Sequence, residues 1–191
     1  MKPEALLACA PRSTSVVVAG ADPTISDAIE YYGPWRSVVV DDPSGDPAKV
    51  AQVAVERCGP AEILAKGGIP TADLARALLR ATGTSDRLVH VAWAYLASLG
   101  RSVIIADAGI NLEPEGEAQT CIAERALHVA RRLGMNGGIA LLGHSDGTDQ
   151  RVQSSVRAGQ WAERLRVDAA FDGVNIIGPV SLDLALDPVA R

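Results

Sequence analysis

Aromatic residues are scarce in this chain: Phe, Tyr and Trp make up 4% of its 191 residues, and there is a single Phe. A core without rings must be filled by Ala, Val, Leu and Ile, the residues that let helices pack closely on a sheet and that supply most of the 48% apolar content. Cysteine is also sparse. Cys9, Cys58 and Cys121 are odd in number, far apart and outside any C-x-x-C spacing. That excludes a disulfide framework and a zinc cluster, and it leads us to expect a reducing, cytoplasmic setting. No apolar run approaches the roughly 20 residues needed to cross a bilayer. The opening run, Ala5 to Ala10, is shorter than a signal-peptide core and is followed by Pro11 and Arg12. A Lys/Arg block is missing as well, and 23 acidic against 18 basic residues give a net charge of −5. Neither nucleic acid nor membrane is therefore an expected partner. A small anion remains compatible, because a few oriented amides and one cation can hold a phosphate inside an acidic protein.

What is present is an alternation of short β-branched runs with longer stretches at helical spacing, the pattern of β-α units around a mostly parallel sheet. Strands are expected at Ser15–Ala19, Ser37–Val40, Ala61–Leu64, Leu88–Trp93, Ser102–Ala106, Gly138–Leu142 and Asp168–Asp172. The runs around Trp93 and Ser102 are joined through Ser98, Leu99 and Gly100, a connection short enough to predict antiparallel neighbours and hence a mixed sheet. Helices are expected over Ile25–Tyr31, from Pro47, from Pro70 and Thr71, over Glu115–Leu133, over Arg151–Leu165, and at the end of Gly178–Leu186. Val50, Val53 and Ala54 form one expected inward face, and Leu74, Leu78 and Leu79 another. The whole, residues 1–191, reads as a single compact α/β unit of two small lobes, with Gly83 to Asp86 the best internal boundary.

Several loops carry chemistry-bearing residues, each with a simpler explanation beside it. Lys66-Gly67-Gly68 joins a strand to a helix N-terminus, which sets a cation and unpaired amides together as an anion requires; a tight turn alone accounts for the glycines equally well. The spacing is not that of a Walker A loop. Thr71 either caps its helix or contacts a ligand. Asp107 and Asn111 lie just past a strand, where ligand crevices form, but both types also favour turns. Gly143-His144-Ser145-Asp146-Gly147-Thr148 holds a hydroxyl, an imidazole and a carboxylate without the G-x-S-x-G nucleophile pattern, so a Ser-His-Asp hydrolase is not expected. His90, within an apolar run, and His128, within a helix, read as structural, and no metal is expected. Asp172-Gly173 and Gly178-Pro179, with Asp183 one turn on, frame a turn.

Together these segments resemble a known family. Ala61-Glu62-Ile63-Leu64-Ala65-Lys66-Gly67-Gly68-Ile69-Pro70-Thr71-Ala72-Asp73 is similar to the central motif of the phosphate acetyltransferase and phosphate butyryltransferase family. Ile105-Ala106-Asp107-Ala108-Gly109-Ile110-Asn111 resembles its strand ending in Asp and Asn. Ile139-Ala140-Leu141-Leu142 precedes a loop where the family commonly has Ser, and Phe171-Asp172-Gly173 with Gly178-Pro179-Val180-Ser181-Leu182-Asp183 resembles its Gly-Pro-Leu-x-x-Asp element.

The resemblance implies a three-layer α/β/α fold like that of isocitrate and isopropylmalate dehydrogenases, and exchange of an acyl group between coenzyme A and phosphate. It also implies acyl-CoA as substrate with no tightly bound cofactor. By this likeness Lys66, Gly67 and Thr71 help form the crevice, and Asp107, Asn111 and Ser145 line it. The catalytic candidates are Ser145, His144 and Asp107; the substrate-binding candidates are Lys66, Gly67, Thr71, Asn111, Asp172, Gly178, Pro179 and Asp183. Gly143-His144 departs from the loop common in the family. We expect a shortened, divergent member without the family's C-terminal Ser-Arg segment, acting as a homodimer that covers the sheet edge so left. The alternatives are a non-catalytic remnant that binds a ligand or partner, and a lyase or cyclase reusing the crevice.

Overall fold

The structure, a computed structural model, describes residues 2, 14–33, 35–82, 88–144 and 146–186. The run Ala5–Ala10, Cys9, Ser145 and the boundary residues Gly83 to Asp86 lie outside them. The chain divides into two compact units, Lys2–Leu88 and Val89–Arg191.

In the first unit, β1 (Ser15–Ala19) lies between β2 (Arg36–Val40) and β3 (Ile63–Lys66), all parallel, with Val17 opposite Val38 and Leu64. β1 is central because it is apolar on both sides: Val16 to Ala19 are all buried, with no alternation. One face, Val16 and Val18, packs under Ile25 and Ile29 of α1 (Pro23–Tyr32). The other, Val17 and Ala19, packs under α2 (Pro47–Arg57) and α3 (Thr71–Thr82) through Val50, Ala51, Ala54, Leu74 and Ala77. The result is a three-layer α/β/α arrangement. Asp22 and Asp46 begin the first two helices by accepting the amides of Thr24 and Ala48, each at 2.9 Å, with Pro in the first turn. Two residues expected inside are not: Val53 and Leu79 are 49% and 41% exposed. Ala51 and Ala77 take those inward positions, since small side chains let the helices approach the sheet. The third strand begins two residues later than expected, because Gly59 and Glu62 close a turn before it, Gly59 donating its amide to the Glu62 carboxylate at 2.8 Å.

The second unit contains an antiparallel pair, β4 (Ala92–Leu96) and β5 (Arg101–Ile105), and a parallel pair, β6 (Ile139–Leu142) and β7 (Ile176–Val180). The expected antiparallel neighbours are present, joined by a short 3-10 turn ending at Gly100. Among the described residues the strands form three small sheets rather than one mixed sheet, and three of the four pairings are parallel. α4 (Glu117–Arg132) and α5 (Gln153–Arg166) enclose β6 and β7 around Ala123, Leu141, Ala158, Ala162, Leu165 and Ile176. α6 (Leu182–Leu186) follows β7.

The expected strand at Asp168–Asp172 is instead a 3-10 turn, Ala169–Phe171. Asp168 captures the Ala170 amide at 3.0 Å, and the turn drops Phe171 into the core. The last strand is Ile176–Val180, where Gly178-Pro179 suggested a turn. Proline fits because β7 has an unpaired side among the described residues. Arg166 takes the carbonyls of Ile176 at 3.2 Å and Gly178 at 3.4 Å.

Candidate active site

In the first unit, the loops that leave β1 and β3 are stacked back to back. Gly67 donates to the carbonyl of Ala19 at 3.0 Å and Gly68 to that of Gly20 at 3.2 Å, so neither amide is available to a ligand. A Cβ on Gly67 would lie 2.0 Å from the Gly20 oxygen, and one on Gly68 2.4 Å from that of Ala21. These glycines are accounted for by close backbone approach. Lys66, at the exposed end of β3, folds over its own loop and donates to the carbonyls of Gly67 and Ile69, each at 3.0 Å. An ammonium has three donors, so one remains for an incoming anion. Thr71 is exposed at the first position of α3, where the amides of Thr71 and Ala72 have no intrahelical carbonyl to bond. What this loop presents to solvent is a cation and a helix end, not a glycine nest.

In the second unit, the loop after β5 is organised by Asp107. Its Oδ1 accepts the amides of Gly109 at 3.0 Å and Ile110 at 3.1 Å, and its Oδ2 accepts the Asn111 amide at 3.0 Å and the Asn111 side-chain amide. Burial pushes the Asp107 carboxyl up, but the Asn111 side chain and the backbone of Ile110, Asn111 and His90 together outweigh it. The group is held below its ordinary value. An ionised carboxylate with this many donors suits positioning better than proton transfer. His90 is not inside a strand; it is exposed before β4, with Nδ1 2.8 Å from the Ala108 carbonyl. His128 is exposed on α4. Among the described residues no three His, Cys, Asp or Glu side chains are placed to hold a metal ion.

The loop after β6 is tied down by its backbone. Gly143 donates to Val180 at 2.9 Å, Gly147 to Pro179 at 3.1 Å, and His144 to the hydroxyl of Ser155 at 3.2 Å. With those amides consumed, the loop offers side chains, of which those of His144 and Asp146 are exposed. Gly178 and Pro179 meet this loop from β7: a Cβ on Gly143 would lie 3.0 Å from Pro179. Asp183 follows at the start of α6, its carboxyl lowered by the Ser181 hydroxyl and by backbone amides. Asp172 is separated from this group, because it precedes β7, whereas Gly178 and Pro179 lie in the second half of β7, the His144 loop follows β6 and Asp183 follows β7. The loop after β5 reaches α5 through an ion pair between Glu113 and Arg157 at 3.7 Å. Both loops of this unit therefore border the first turns of one helix.

A family model described as phosphate acetyl/butaryl transferase matches residues 38–191. The chain belongs to this family. It is 30% identical to the probable phosphate butyryltransferase of Bacillus subtilis over 147 residues, 75% of this chain and 48% of that one. It is 28% identical to the phosphate acetyltransferase of Rhizobium meliloti over 159 residues, 81% of this chain and 50% of the relative. The chain thus spans about half the length of these curated relatives. A branched-chain phosphotransacylase from Enterococcus faecalis has a similar structure, with a TM-score of 0.72 at 28% identity over 90% of this chain and 70% of that one.

Every motif that carried the likeness to the phosphate acetyl/butyryl transferases, except Phe171-Asp172-Gly173, sits where a strand ends or, in Gly178-Pro179, beside such a loop. Ser155 belongs to no motif; its spacing with Ala158, Ala162 and Leu165, that of an inward stripe, is the signal that marks its position in the sequence. Asp149, likewise outside any motif, accepts the Arg151 guanidinium at 2.9 and 3.1 Å.

Proposed function

We propose that the chain contributes the substrate crevice of a phosphate acyltransferase, which exchanges an acyl group between coenzyme A and phosphate. The observation that carries this reading is the match to the family over residues 38–191, together with a cation and a helix N-terminus at the Lys66 loop. In the forward direction a phosphate oxygen attacks the thioester carbonyl, the new C–O bond forms, the C–S bond breaks, and the thiolate leaves and takes a proton. In reverse, the thiolate attacks the acyl phosphate and phosphate leaves. Lys66 and the first amides of α3 hold an anionic oxygen and offset charge on the carbonyl oxygen as it develops. Asp107 and Asn111 fix their loop, and the consecutive residues His144, Ser145 and Asp146 are the polar candidates of the loop after β6. In this reading acyl-CoA is a substrate rather than a resident cofactor, and the protein acts in the cytoplasm as a homodimer.

The non-catalytic alternative draws on a different observation: the Asp107 carboxylate and the Gly67 and Gly68 amides are already engaged within the protein. A lyase or cyclase using Asp107 as acid or base is disfavoured by the same carboxylate's lowered pKa. Calorimetric titration with acetyl-CoA and butyryl-CoA tests the binding site. Saturable heat for the wild type, with affinity weakened roughly tenfold in Lys66→Met, supports it; no heat from either compound removes it.

A further inference from the structure

We infer that Ser155 is a positioning residue for the His144 loop, an inference that rests on the acyltransferase reading for its functional part. Among the described residues, Thr14 and Ser155 are the buried polar side chains, and Ser155 is completely buried. It occupies the inward stripe of α5 that continues as Ala158, Ala162 and Leu165, where an alanine would pack without any polar cost. The hydroxyl is there because a donor needs it: the His144 amide reaches its oxygen at 3.2 Å. The surroundings leave that contact little slack. A Cβ on Gly143 would lie 3.1 Å from the same oxygen and 3.0 Å from Pro179, and Gly143 is itself tied to Val180.

The loop is thus held on two sides, by β7 through Gly143 and Gly147 and by α5 through His144. Only the α5 tether acts at the residue whose imidazole is exposed. Removing the hydroxyl leaves the strand-side bonds in place and frees the backbone at His144 alone. Ser155 touches no substrate in this account; it sets where the His144 side chain points.

The test compares wild type with Ser155→Ala and Ser155→Thr by amide hydrogen exchange, by the imidazole resonances of His144, and by acyl-CoA kinetics. In Ser155→Ala the His144 amide is expected to exchange about tenfold faster, the loss of one hydrogen bond, while the Gly143 and Gly147 amides keep their protection. The His144 resonances are expected to shift, and kcat to fall about tenfold with KM changed less. Ser155→Thr keeps the acceptor and restores all three. Equal exchange at His144 in wild type and Ser155→Ala overturns the contact. Faster exchange with unmoved resonances and kinetics reduces Ser155 to a structural residue and overturns the positioning role. A wild type without turnover sinks the acyltransferase reading instead, and the exchange and resonance data still decide the place of Ser155. If Ser155→Thr does not fold, the comparison of wild type with Ser155→Ala is sufficient to decide between these outcomes.

Discussion

Gly67 approaches Gly20 so closely that a methyl group on Gly67 would lie 2.0 Å from the Gly20 carbonyl oxygen. The contact is backbone against backbone, so no side chain can swing away to relieve it. Gly67→Ala is therefore expected to cost about 3 kcal/mol or to prevent folding. Gly137, with open space around it, serves as the control, and Gly137→Ala is expected to lie within about 0.5 kcal/mol of wild type. Urea denaturation of the two variants checks this, and equal midpoints contradict it.

Lys66 has a different kind of role, because its ammonium, at the exposed end of β3, covers the carbonyls of Gly67 and Ile69 and still has a donor to give. Lys66→Met is expected to leave stability within about 1 kcal/mol while weakening binding of phosphate or coenzyme A roughly tenfold. Raising the salt concentration should weaken wild-type binding and leave the variant almost unaffected. Titrations at two ionic strengths measure both effects.

Asp107 gives the fold an acid-sensitive element. Its folded carboxyl lies below the ordinary value of 3.8, so its contribution is complete above that value and is lost as pH falls through the folded pKa. Asp107→Asn removes it at every pH. The stability gap between wild type and variant is expected to be constant from neutral pH down to about 5 and to close below about 4. Urea midpoints across that range test the sign, and a gap that widens in acid contradicts it.

Arg166 satisfies carbonyls on the unpaired side of β7 with a geometry that a lysine cannot copy. Arg166→Lys is expected to cost about 1 kcal/mol and Arg166→Ala about 2 kcal/mol, as one or more hydrogen bonds are lost. Thermal unfolding is the measurement.

β1, β2, the β4-β5 pair and the starts of α2 and α3 are legible in the sequence to within a residue or four, because apolar runs and Pro-Thr or Asp-Pro starts report local preference. The sequence misleads at β7, where Gly178 and Pro179 look like a turn, and at Asp168–Asp172, where an Asp cap builds a turn around a core Phe. What decided both lay outside the segment, in Arg166 and in the cluster that receives Phe171. The site was similarly divided. Lys66, Asp107, Asn111 and the His144 loop are candidates from motif order, and motif order does not tell whether backbone amides are free or spent. Nor is the role of Ser155 legible, because a serine in a helix carries no mark of the partner it meets eleven residues away.

The most direct test of the central claim follows free thiol released from acetyl-, propionyl- and butyryl-CoA by the purified protein, with and without phosphate. Release that requires phosphate, is accompanied by acyl phosphate in equal amount, and falls in Lys66→Met is the expected result. No release from any of the three, or release at the same rate without phosphate, contradicts phosphate acyl transfer by this chain.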